Sequence, residues 1–156
     1  MSAMRNAVAG AWGVLLLTLI ASVHAAVPDW AVAVFPSGRE FSLEIAADPE
    51  TRRLGYMFRE HVGPNQGMLF LFDTTERHGI WMKNCKVALD VIWLDEQWKV
   101  VEIVAELQPC AESGECNAVQ PLRVARYVLE VAGGVAAEAG LSAGDRIEIL
   151  SDPELP

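Results

Sequence analysis

The sequence is short of positive charge. Only 12 Lys and Arg stand against 21 Asp and Glu in 156 residues, a formal net charge of −9 with the three His neutral. A nucleic-acid-binding domain needs a basic face to meet phosphate, so this balance argues against nucleic-acid partners. No cluster of Lys and Arg marks an anionic lipid surface either. Also missing are a Gly-rich phosphate loop, a Ser-His-Asp set and a metalloprotease helix. Strands do not alternate with helices long enough for a parallel sheet, and no internal repeat, low-complexity segment or domain linker interrupts the chain.

No apolar run reaches the roughly 20 residues of a membrane span. Ala7–Ile20 follows Arg5 and precedes the small residues of Val23-His24-Ala25. A positive start, a short apolar stretch and a small-residue cut site describe a secretory signal, residues 1–25, cleaved after Ala25 or Ala26. An uncleaved anchor is the competing reading, and no Cys follows the run to carry a lipid. The expectation is a periplasmic or secreted protein with no stable membrane anchor after cleavage. Residues 26–156 are then a single domain, long enough to bury a core without metal.

Cysteine is scarce as well: Cys85, Cys110 and Cys116. Cys110 and Cys116 lie in a polar, turn-rich stretch, and export exposes them to oxidising conditions, so they are expected to form a small disulfide ring. Cys85 is left over and reads as a buried, inert thiol. No His lies near the cysteines in sequence to complete a metal site.

Short apolar segments dominate what is present. Ala31–Phe35, the turn Pro36-Ser37-Gly38 and the alternating Glu40–Ala46 form a hairpin pattern. Asp48-Pro49-Glu50 opens a helix that Gly55 stops after about two turns. Gly67–Phe72 is apolar on both faces, which requires cover on both sides. Gly79–Lys83, Leu89–Leu94, Lys99–Leu107, Arg126–Val131 and Arg146–Leu150 read as further strands, and Gly134–Ala139 as a helical turn or two ended by Gly140. The fold class is therefore mainly β, a compact antiparallel barrel-like or sandwich domain with one or two short helices.

Three blocks carry a likeness: Gly55, Met57 and Arg59 after the first helix; Gly67-Met68-Leu69-Phe70; and Trp81-Met82-Lys83-Asn84 with Leu89-Asp90. With the ending Val128–Val131 through Gly134 to Gly144-Asp145, they resemble exported members of the domain of unknown function 192 family, over about residues 40–149. The resemblance implies a β-rich, barrel-like domain and no settled activity. Cys85 sits where that family commonly has Thr.

The polar residues of these blocks are the candidates for function. Asp90 shares a strand face with Ile92 and Leu94, where an unpaired carboxylate is costly. It must be paired, hydrogen-bonded or at the strand's exposed end. Lys83 and Arg59 are candidate partners, and Arg59, Lys83, Asn84 and Asp90 form a candidate polar cluster, either a structural lock or a ligand site. Met57, Met68 and Met82 could suit Cu(I) but read better as packing. Trp93 reads as core, and Trp98 as core or cover rather than a sugar platform. Ala137–Ile149 has a local likeness to a peptide-binding PDZ segment without its carboxylate loop. No catalytic residue, metal or cofactor is assigned. The function expected is a non-catalytic exported binding or accessory module, for a small polar ligand or an exported partner protein. The alternative is an enzyme of unassigned reaction with a polar cleft around Lys83 and Asp90.

Overall fold

Gly38 takes a left-handed φ of 80°, and the chain reverses there. Bonds from Phe35 N–H to Arg39 O (2.9 Å) and from Gly38 N–H to Phe35 O (2.8 Å) close the turn. It joins strand β1 (Trp30–Val34) to β2 (Glu40–Ala46) in an antiparallel hairpin. The computed structural model describes residue 27, residues 29–111 and 114–151, and residue 155. The signal-peptide segment lies outside the described residues.

Asp48 caps helix α1 (Pro49–Leu54), its Oδ1 accepting from the N–H groups of Glu50 (2.9 Å) and Thr51 (3.0 Å). Such a cap stabilises a helix by about 1 kcal/mol. The stretch after α1 returns the chain, so β3 (Gln66–Glu76) pairs parallel to β2. All other pairings are antiparallel. They involve β4 (Leu89–Leu94), β5 (Val100–Leu107), β6 (Ala125–Ala132) and β7 (Glu148–Leu150). A short helix, α2 (Val135–Glu138), follows β6. The seven strands form one sheet in the order β5-β4-β6-β3-β2-β1-β7.

The sheet curls into a half-barrel, and its ends are stitched together ahead of β7. Val100 N–H donates to Asp145 O (2.7 Å), Gly144 N–H to Val100 O (2.8 Å) and Ile147 N–H to Trp98 O (3.0 Å). Side-chain alternation then sorts two cores. The inner one holds Phe41, Leu43, Leu69, Ile92, Leu129 and Ile147, with α2 adding Val135 and Ala136. The outer one holds Tyr56, Met68, Phe70, Ile80, Met82, Val91, Trp93 and Val128. Burying a Leu, Ile, Phe or Met side chain contributes about 1.5–3 kcal/mol, so both faces carry stability. β3 supplies Leu69 and Leu71 to one core and Met68 and Phe70 to the other, as its two-sided apolar pattern requires.

The fold is mainly β and barrel-like, with two short helices among the described residues, but the expected strand Gly79–Lys83 does not form. This stretch makes one isolated bridge, Ile80 to Val119. It then turns: Cys85 N–H bonds to Met82 O at 3.3 Å, and Asn84 takes φ 57°. It therefore covers the outer face instead of extending the sheet.

Candidate functional site

Asp90 is fully buried, on the inner face that Ile92 and Leu94 share. Among the described residues, backbone N–H groups engage its carboxylate: Oδ1 accepts from Glu106 N–H (2.8 Å) and Gly134 N–H (2.9 Å), and Oδ2 from Ala136 N–H (2.7 Å). Each contact answers a local need. The β4–β5 register shifts between Leu89 and Val91, and Glu106 beside that irregularity has φ 50°. Gly134, the N-cap of α2, has no side chain to cap with, so Asp90 supplies the acceptor from another strand.

The candidate partners of Asp90 are engaged elsewhere. Arg59 makes a two-armed ion pair with Glu44, one arm at 2.7 Å, and lies over the Tyr56 ring at 5.0 Å. Lys83 is exposed, with Nζ 5.3 Å from the Trp81 ring centre. Asn84 accepts from Phe58 N–H through its backbone carbonyl (2.8 Å) and donates through Nδ2 to Met57 Sδ (3.8 Å). The four polar residues are thus not one cluster. The covering segment carries Lys83 and Asn84 on the outer face, and strand alternation sends Asp90 to the inner one. Among the described residues, the cavity that Lys83 lines does not include Asp90.

The outer face holds a carboxyl that the sequence reading passed over. Glu130 lies on β6, the strand flanked by β4 and β3, and in register with Met68 and Val91. It is in phase with Val128 and only 4% exposed. Close backbone approach helps set this geometry: a Cβ on Gly67 would come within 2.8 Å of Glu130 O. Among the described residues no hydrogen bond reaches the Glu130 side chain. Burial pushes its carboxyl up to about 8, because the charged form loses hydration that nothing replaces.

A buried polar group near it lacks a partner. Among the described residues the Tyr56 hydroxyl makes no hydrogen bond. Burial first, and then the charges of Glu130 and Glu44, raise this phenol well above its ordinary value, with Arg59 opposing. Cys85 is half-buried and likewise pushed up, to about 11, by burial and then by Glu130. Glu130, Tyr56 and Cys85 share the lining of a cavity of about 320 Å³. Its walls include Phe70 and Trp81, and Arg52 and Arg53 of α1 also line it. Arg52 holds the carbonyl oxygens of Ala47 and Leu71, the latter at 2.8 Å.

Cys110 and Cys116 are joined as a disulfide with a Cα separation of 5.5 Å. Cys110 N–H bonds to Met82 O at 3.2 Å, tying the ring to the covering segment. A second cavity of about 420 Å³ lies there, lined by Phe58, Lys83, Asn84, Cys85 and both bridged cysteines. Met68 and Met82 pack in the outer core. Among the described residues no group of three His, Cys, Asp or Glu side chains gathers as metal ligands would.

A family model described as Uncharacterized ACR, DUF192, matches residues 32–149. The chain belongs to the DUF192 family. Two solved structures are similar. One is a Sinorhizobium meliloti protein provisionally described as a transcription regulator, with 31% identity, a TM-score of 0.68, and coverage of 76% of this chain and 91% of that one. The other, from Novosphingobium aromaticivorans and of unknown function, shows 29% identity, a TM-score of 0.68, and coverage of 76% and 83%. No curated protein matches the sequence. Within this DUF192 chain, Glu130 had a readable signal: it is the one acid in the apolar run Tyr127–Val131, in phase with Val128. Its cavity had none, because Tyr56 and Cys85 come from remote parts of the chain.

Proposed function

We propose that this chain is an exported, non-catalytic binding domain that seats a small molecule in the cavity between the sheet and its outer cover. One observation carries the reading. The Tyr56 hydroxyl is buried without a hydrogen-bond partner among the described residues, and Glu130, 4% exposed and likewise without a hydrogen bond among them, lines the same cavity. A buried polar group left unpaired costs about 1–3 kcal/mol, and a ligand that bonds to the Tyr56 hydroxyl would recover that cost. A cavity of about 320 Å³ is at the small end of ligand sites.

The Cys110–Cys116 disulfide supports an oxidising compartment, and no described helix is long and apolar enough to cross a membrane. Export with removal of residues 1–25 is part of the proposal, with residues 26–156 as a single domain. The intact mass of protein recovered from the exported fraction tests it. The regulator description of the Sinorhizobium meliloti protein is not carried over, since a net charge of −9 repels a phosphate backbone. An enzyme built on Lys83 and Asp90 lacks support, because both Asp90 oxygens are occupied in a fully buried place.

Native purification followed by mass spectrometry of what co-purifies tests the binding reading. A small molecule retained by the parent and lost from Tyr56→Phe and from Glu130→Ala, which keeps no polar group, supports it. Retention by both variants removes this cavity as the site.

A further inference from the structure

Resting on that reading, the lining of the cavity restricts what it holds. Among the described residues that line it, Glu130 is the only carboxyl, whereas Arg52 and Arg53 both line it. Two positive charges on the lining disfavour an organic cation and attract an anion. Inside, the Tyr56 phenol and the Glu130 carboxyl make no hydrogen bond among the described residues. We propose that the cavity binds a small carboxylic acid with an apolar body, its carboxylate accepting hydrogen bonds from the Tyr56 hydroxyl and the Glu130 carboxyl, and its body lying against Phe70 and Trp81.

The protonation states agree with that role. Burial keeps the Glu130 proton on until about pH 8, and the Tyr56 phenol is held protonated beyond its ordinary range. A neutral carboxyl held in an apolar site donates a hydrogen bond as a phenol does, and paired donors of this kind suit an oxyanion. The other titratable or charged groups near Glu130 are Cys85 on the covering segment and Arg52 and Arg53 on α1. Glu44 and Arg59 act on Tyr56. An anion bound here keeps Glu130 protonated. A bound ammonium would drive the proton off.

The test is calorimetric titration of the full folded chain, disulfide intact, with benzoate, benzyl alcohol and benzylamine at pH 6.5. Benzoate is expected to bind tightest. Tyr56→Phe should weaken it about tenfold through one lost charge-assisted hydrogen bond. Raising the pH to 9 should weaken benzoate about tenfold for the parent, as the protonated fraction of Glu130 falls. Glu130→Gln, which keeps a neutral donor, should hold its benzoate affinity between the two pH values. It carries the test if Tyr56→Phe fails to fold. Tighter binding of benzylamine or benzyl alcohol overturns the carboxylate proposal and leaves the cavity as a binding site. Binding of none of the three removes the cavity reading itself.

Discussion

Asp90 Oδ2 accepts the N–H of Ala136 at 2.7 Å, across 46 residues of chain, and so joins β4 to the first turn of α2. The same carboxylate holds Gly134 and the Glu106 irregularity. Removing it leaves three backbone donors to find other acceptors around a buried hole. Asp90→Ala should cost about 3–5 kcal/mol. Asp90→Asn keeps one acceptor oxygen and turns an amino group toward a donor, so it should cost less, about 1–3 kcal/mol. Urea unfolding of the three proteins checks the order. An Asp90→Ala midpoint equal to the parent's would remove the lock.

Glu130 links stability to pH. Its ordinary carboxyl value is 4.5, and the folded value is about 8. Below 4.5 both states hold the proton and pH has no effect through this group. Between 4.5 and 8 the unfolded chain ionises while the folded one keeps its proton. Stability then falls as pH rises, by about 1.4 kcal/mol per unit. Above 8 the loss levels off. Subtracting the Glu130→Gln curve isolates the effect from other groups. The variant should gain on the parent steadily from pH 5 to pH 8, measured as the difference in thermal midpoint. Parallel curves would show that Glu130 ionises as it does in the unfolded chain.

Local chemistry made much of the scaffold legible. Gly38 marked the hairpin, Asp48 the start of α1, and the doubled apolar pattern of Gly67–Phe72 a strand buried on both sides. The parallel β2–β3 pairing was not legible, because it depends on where the stretch after α1 brings the chain back. Nor was the role of Gly79–Lys83: its residues alternate like a strand's, but Asn84 turns the chain before a partner strand is met. Asp90 stood out because a carboxylate shared a face with Ile92 and Leu94. Its partners stayed hidden, since backbone N–H groups 16 to 46 residues away carry no sequence mark. The reasoning that singled out Asp90 applies equally to Glu130 beside Val128, and only the fold separates them. One is surrounded by donors, the other faces a cavity.

The disulfide ring is small, six residues apart in sequence. Closing a ring of this size removes unfolded-state entropy equivalent to about 2 kcal/mol. Cys110→Ser with Cys116→Ser should lower stability by about that amount, and dithiothreitol should reproduce the loss in the parent but not in the double variant. Denaturant unfolding with and without reductant checks both. The covering segment hangs on the ring through the Cys110–Met82 bond. Hydrogen exchange should therefore quicken at residues 80–86 in the variant, and leave α2, on the other face, unchanged.

Cys85 should be a slow thiol in spite of its partial exposure. Only the thiolate attacks an alkylating agent, and burial, with a smaller contribution from Glu130, lifts this thiol from 9.0 to about 11. At pH 8 its thiolate fraction is then roughly a hundredfold below that of an ordinary cysteine. Iodoacetamide should label the oxidised protein at that reduced rate, and at the ordinary rate once urea unfolds it. Glu130→Gln removes the acidic neighbour that disfavours a second negative charge, so it should speed labelling where Glu130 is ionised, above about pH 8, and have little effect at pH 6.5. A pH-independent effect of that variant would mean that Cys85 responds to altered packing and not to the charge of Glu130.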